Sequence, residues 1–145
     1  MRILLDETAP QAITGVLRSL LPGHTVDHVE DLGWRGRTDH ALLQAAGEAG
    51  YEVIVVAEGN QLRDPAACRA IERSGLHHVR FPHDAGRGLS GVGRAMASLI
   101  AAMPGMVAAL ERAGGQRLVR VRGVSQQGRF TVTDPAAGPP EDWPR

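Results

Sequence analysis

Short runs of strand-forming residues alternate with helical patterns over the first 112 residues. The run VIVVA, at residues 53–57, is apolar throughout, which is typical of a strand buried on both faces of a parallel sheet. The alternation predicts an α/β fold in which helices cover a mainly parallel sheet. The predicted strands of this region are residues 2–5, 25–29, 53–57 and 77–81.

Helical spacing and helix-end signals define the segments between these strands. Thr8 and Pro10 favour a helix start, and the first helix is expected to stop at Pro22-Gly23. The second helix is predicted over residues 39–49, and the third begins at Asp64-Pro65 and ends at Gly75. A long amphipathic stretch follows a glycine-rich connection at residues 84–90. Because Pro104-Gly105 interrupts that stretch, we expect a kink or two helices.

The last part of the chain has a different pattern. Residues 117–121 and 129–133 read as two strands joined around Gly128, which predicts a C-terminal β-hairpin at the sheet edge. We therefore expect one domain over residues 1–133 and a flexible tail over residues 134–145.

Composition excludes several classes of protein. The 145 residues carry no net charge and one cysteine, Cys68, which rules out an intramolecular disulfide framework and a multi-cysteine zinc site. No apolar run approaches 20 residues and the opening MRILLDE lacks a signal-peptide core, so we expect no membrane span and a cytoplasmic location.

The neutral total hides an uneven distribution of charge. Acidic residues are in excess over residues 1–60 and arginines are in excess over residues 61–145, and the chain has no lysine. Genomic base composition accounts for the choice of arginine. The alternative is an acidic site beside an arginine-bearing surface, as a phosphate-handling protein would use.

Acidic residues follow two of the predicted strands. Asp6 and Glu7 follow the first strand, Glu58 and Asn60 follow the third, and Asp39 opens the second helix. Parallel crossovers bring these places to one sheet edge, where the carboxylates would repel one another without a cation. Mg²⁺ or Mn²⁺ prefers such oxygen ligands.

Each of these acids also has a structural alternative. Asp39 could cap its helix, a role that Thr38 could fill instead. Asp6 could cap the first helix, and Glu58 could be a solvated loop residue.

Three motifs, in order, resemble the PIN-like family, which includes the VapC-type toxins. RILLDE resembles the family's opening strand and aspartate, and DLGWRGRTDHALL resembles its glycine-rich turn and the acidic residue of the next helix. The segment VIVVAEGNQLRDPAACRAIERSGL resembles the third strand, acidic turn and following helix. HHVRFP, GLSGVGRAMASLI and RLVRV continue in the expected order, so the resemblance covers roughly residues 1–133.

The resemblance implies a PIN-like three-layer sandwich and a ribonuclease that uses Mg²⁺ or Mn²⁺. Carried over by position, Asp6, Asp39 and Glu58 would be the catalytic and metal-binding residues. The chain departs from the family at its third acidic position, because Glu58 stands where the family usually has the shorter Asp. The outer-shell candidates are Glu7 and Asn60, and the candidates for RNA phosphates are Arg35, Arg37 and Arg63.

The sequence therefore predicts a metal-dependent ribonuclease, the toxin of a toxin–antitoxin pair. The expected partners are an RNA substrate, an antitoxin protein and a second copy of the chain. Two alternatives stay open: a PIN-like module that has lost catalysis and binds protein or nucleic acid, and a phosphatase or other small-molecule hydrolase that uses the same acids.

Overall fold

A computed structural model of the chain describes residues 1–83, 88–124 and 130–145. Six strands form one sheet in the order β2-β1-β3-β4-β5-β6, parallel except for the last pair. The mixed α/β fold with a mainly parallel sheet is thus confirmed. The strands are β1 (Arg2–Leu5), β2 (Thr25–His28), β3 (Val53–Ala57), β4 (His77–Phe81), β5 (Leu118–Val121) and β6 (Phe130–Thr133).

Helices cover both faces of the sheet. The helices are α1 (Ile13–Leu20), α2 (Asp39–Glu48), α3 (Pro65–Ser74) and α4 (Gly88–Glu111). Helices α1 and α4 contribute Leu17 and Met103 to the core on one face, whereas α2 and α3 contribute Leu43 and Ile71 to the core on the other. The apolar side chains of β3 alternate between these two cores, which explains why this strand has no polar position.

One helix prediction differs from the structure, and for a second helix one of the two predicted alternatives, a division into two helices, is excluded. Helix α1 begins at Ile13 without a side-chain cap, because the Thr8 hydroxyl makes other hydrogen bonds. Helix α4 is one continuous element with Pro104 inside it. By length and composition α4 is also apolar enough to cross a membrane, but one of its faces, which includes Leu99 and Met103, forms much of the core beneath it.

The C-terminal part extends the sheet and then returns to it. Strands β5 and β6 pair antiparallel, as expected for the hairpin, while the turn predicted around Gly128 lies outside the described residues. After β6, Trp143 is only 7% exposed and packs into the core on the α2–α3 side. Burial of a large aromatic ring is favourable, so the segment predicted to be a flexible tail, residues 134–145, contains one side chain that packs against the domain.

The strand order changes direction between β1 and β3. From β1 the chain moves outward to β2, then crosses back to β3 and continues outward through β4 and β5. In open parallel sheets, ligands bind outside the carboxyl ends of the strands at such a reversal. The residues that follow β1 and β3 therefore lie where a ligand is expected.

Candidate functional site

Asp6 lies directly after β1 and is 8% exposed. Its backbone N–H donates to the carbonyl of Val55, so the residue is fixed to β3. Its carboxylate accepts hydrogen bonds from the backbone N–H of Thr8, at 2.9 Å, and from the Thr8 hydroxyl. Burial raises the pKa of Asp6, the Thr8 hydrogen bonds oppose that rise, and the nearby charge of Asp39 adds to it.

The Thr8 hydroxyl connects the ends of two strands. Besides donating to Asp6, its oxygen accepts a hydrogen bond of 2.8 Å from the backbone N–H of Ala57, the last residue of β3. The orientation of the Asp6 carboxylate is therefore tied to the end of the neighbouring strand.

Asp39 approaches Asp6 from a different element. It is the first residue of α2 and is exposed, and the N-cap is Thr38, whose hydroxyl accepts from the N–H of Ala41 at 3.2 Å. Because Thr38 satisfies the helix end, the carboxylate of Asp39 is not needed for capping.

Asp6 and Asp39 line one narrow pocket of about 20 Å³ between α2, α3 and the sheet. Two further polar side chains line it, Gln61 and His78. The Oε1 atom of Gln61 and the Nδ1 atom of His78 are both buried and have no hydrogen-bond partner among the described residues. Burial and the charge of Arg80 lower the pKa of His78 to about 3, so its ring is neutral at physiological pH.

Glu58 lies elsewhere along the same edge. Its carboxylate forms an ion pair with Arg120 of β5, at 2.6 Å between Oε1 and Nε, and it lines a different, open pocket beside α4. Across residues 1–83, 88–124 and 130–145, no group of three or more His, Cys, Asp or Glu side chains is placed to hold a metal ion. The structure thus brings Asp6 and Asp39 together and keeps Glu58 apart from them.

The other predicted site residues have local roles. The carboxylate of Glu7 accepts from the N–H of Gly36 at 3.2 Å, and Asn60 precedes a short 3₁₀ helix over Gln61–Arg63. Arg35 pairs with Glu30 at 3.3 Å, and the Arg37 guanidinium lies 4.8 Å from the ring centre of Trp34. Arg63 is exposed and is the last residue of that 3₁₀ helix.

Comparison with protein families identifies the fold. A family model described as a PIN-like domain matches residues 1–83, which is more than half of the chain. The chain belongs to the PIN-like domain family. The match contains the acidic residues Asp6, Asp39 and Glu58 and supports a nuclease-type fold. Neither the curated proteins nor the solved structures gave a significant match to the chain.

Reasoning from the sequence missed several residues of this PIN-like domain. Thr8 was interpreted as a helix cap, and Gln61 received no role. His78 received no role either, yet it lines the acidic pocket through the face of β4 that it shares with Arg80. Only long-range packing shows these roles, because no local motif contains two of the residues.

Proposed function

We propose that this PIN-like domain is a metal-dependent endoribonuclease whose Mg²⁺ or Mn²⁺ ion is held by Asp6 and Asp39. The observation that carries the proposal is the convergence of these two carboxylates, from separate elements, on one pocket at the strand reversal. Family membership, through the match to residues 1–83, supports the nuclease assignment.

The residues at the pocket fit a hard divalent cation. Neither Asp6 nor Asp39 forms an ion pair with any other residue that the structure describes. Their mutual repulsion contributes to the raised pKa of Asp6, and a cation between them would remove that penalty. Gln61 adds a buried oxygen without a partner, which is also a ligand type that Mg²⁺ accepts.

Different residues around the pocket would position the two carboxylates that hold the ion. Thr8 holds the Asp6 carboxylate in one orientation, and the first turn of α2, capped by Thr38, presents Asp39. A bound ion supplies activation of a water molecule and stabilisation of charge on the phosphodiester. Because the pKa of His78 is low, its ring is neutral and adds no positive charge to the pocket.

More specifically, we propose that the protein is the toxin of a toxin–antitoxin pair and acts in the cytoplasm. It rests on the resemblance of the three sequence motifs to the VapC-type branch of the family. Expression of the wild-type chain should then arrest bacterial growth, and co-expression of its antitoxin should relieve the arrest. Growth arrest that persists in Asp6→Asn would contradict this assignment.

The position of Glu58 supports an alternative function, binding without cleavage. In this conformation its carboxylate is neutralised by Arg120, so the third acid of the family pattern is not directed to Asp6 and Asp39. A PIN-like module that binds RNA or protein without cleaving it is therefore the second candidate. The two functions differ in whether Mn²⁺ supports strand cleavage.

The decisive experiment is cleavage of single-stranded RNA by purified protein in Mn²⁺ or Mg²⁺, with a chelator as control. Asp6→Asn and Asp39→Asn should each abolish cleavage while the proteins remain folded. Glu48→Gln is the matched control, since Glu48 ends the same helix that Asp39 begins. Cleavage that survives the chelator would refute metal dependence, and absence of cleavage by wild type in both metals would favour the binding module.

A further inference from the structure

Two arginines lie side by side near the carboxyl ends of β4 and β5. Arg80 and Arg120 are direct partners in the register of this parallel pair, so their side chains leave the same face of the sheet on adjacent strands. Like charges in such neighbouring positions are unfavourable. The arrangement therefore needs negative charge close by.

The residues that the structure describes supply only part of that charge. Glu58 pairs with Arg120, and both residues are accessible, with side-chain exposures of 31% and 58%. Arg80 is half-buried, and its Nε is a buried donor without a hydrogen-bond partner among the described residues. Its pKa is lowered by burial, while Glu58 and Arg120 act on it in opposite directions. Two guanidinium groups thus lie near one carboxylate, which pairs with Arg120 alone, and among the described residues this leaves an excess positive charge and one donor, the Arg80 Nε, without a partner.

The position of this arginine pair relates it to the acidic pocket. Arg80 lies two residues beyond His78 on β4, on the same face of the sheet, and His78 lines the pocket of Asp6 and Asp39. Strand β4 is two strands from β1, a separation of about 10 Å. A polyanion that lies along the carboxyl edge would therefore meet the carboxylates first and the guanidinium groups next.

We propose that Arg80 and Arg120 bind a backbone phosphate of single-stranded RNA, adjacent to the phosphate placed at Asp6 and Asp39. This inference rests on the proposed ribonuclease function and identifies how its substrate is held. The planar fork of arginine suits a phosphate oxygen pair, and the chain has no lysine for that purpose. Glu58 keeps Arg120 oriented in the free protein and gives way to the phosphate when RNA binds.

The test measures binding of a short, labelled oligouridylate by fluorescence anisotropy in a chelator, where cleavage does not interfere. Arg80→Met should raise the Kd about tenfold, as expected for loss of a charge-assisted hydrogen bond. The plot of log affinity against log salt concentration should become less steep by about 0.7, the value for one phosphate contact on a single strand. Arg80→Lys should recover part of the affinity. The matched control, Arg112→Met, removes an exposed arginine that follows α4 and should leave Kd unchanged.

Stability separates a binding role from a structural one. Because Arg80→Met removes a half-buried guanidinium with an unused donor, the free energy of unfolding should stay the same or rise. A marked loss of stability would show that Arg80 supports the sheet and would overturn the inference.

Failure of this inference can be distinguished from failure of the ribonuclease proposal. If Arg80→Met and Arg120→Gln bind RNA like wild type while Asp6→Asn abolishes cleavage, the arginine pair does not hold RNA and the nuclease proposal stands. If wild type cleaves nothing but the arginine variants lose RNA affinity with the expected salt slope, the phosphate site stands and the nuclease proposal fails. A third outcome is that both variants bind RNA normally but lose binding to an acidic protein. The arginine pair would then bind protein carboxylates, and the phosphate site would be wrong.

Discussion

Replacement of Thr8 by valine tests whether one hydroxyl joins the acidic pocket to the sheet. Valine has nearly the shape of threonine but removes the donor to Asp6 and the acceptor for Ala57. Ala57 is 6% exposed, so its N–H would lose its partner in a place that water reaches poorly. Two lost hydrogen bonds at about 1 kcal/mol each, with the cost of the buried N–H, predict a loss of about 2–4 kcal/mol.

The assay is urea denaturation followed by circular dichroism. The midpoint should fall without a change in slope, which would indicate a loss of stability rather than a change in the denatured state. Thr8→Ser keeps the hydroxyl and is the matched control, with an expected change below about 0.5 kcal/mol. Mn²⁺ affinity should also fall in Thr8→Val, because the Asp6 carboxylate loses one of its fixing contacts. A stability of Thr8→Val within about 0.5 kcal/mol of wild type would show that the hydroxyl does not join the pocket to the sheet.

Three further predictions concern the pocket. Asp39→Asn should keep wild-type stability, because Thr38 is the cap, and should lose the rise in Tm that Mn²⁺ gives the wild type; an unchanged Mn²⁺ response would exclude Asp39 as a ligand. The raised pKa of Asp6 means that its ionisation favours the unfolded chain, so Asp6→Asn should be more stable than wild type at pH 7 in a chelator. That difference should vanish below about pH 4, and a difference independent of pH would contradict it. The pKa of His78 is lowered to about 3, so the unfolded chain gains a proton below about pH 6.5 and the folded chain does not. As the pH is lowered from about 6.5 to about 3, the free energy of unfolding should therefore fall by about 1.4 kcal/mol per pH unit. His78→Leu, compared in the same buffers, should lack that contribution. Identical pH slopes for the two proteins would contradict this prediction.

Local patterns predicted the elements of the fold well. Strands β1, β3 and β4 have the predicted bounds, because β1 and β3 contain apolar runs ended by acidic residues and β4 is ended by Pro82. Helix α3 also follows its signals: Asp64 accepts a hydrogen bond from the N–H of Ala66, and Gly75 adopts a left-handed conformation with φ of 68°. These features depend on residues that are close together in the sequence, so a local sequence pattern is enough to predict them.

The site was predicted less completely, since its contacts join distant parts of the chain. The strand-end rule placed Asp6 and Asp39 at one edge, and the structure brings them to one pocket. The same rule placed Glu58 at that edge too, but it could not show that Arg120, from β5, would take its carboxylate. The partner of a charged side chain depends on sheet register, which local sequence patterns do not specify. The three-carboxylate metal centre therefore stays a prediction, as do the proposed roles of Glu7 and Asn60 and those of Arg35, Arg37 and Arg63.

The strand order has a consequence for the time at which the pocket forms during synthesis. Asp6 and Asp39 leave the ribosome early, but the contact between Thr8 and Ala57 spans 49 residues of sequence. Pairing across such a separation is slow and cannot begin until β3 has emerged. A nascent chain shorter than this carries both carboxylates without the strand that fixes them. An enzyme with the proposed activity would therefore stay harmless to the messenger RNA that encodes it until the ribosome has passed this part of the reading frame.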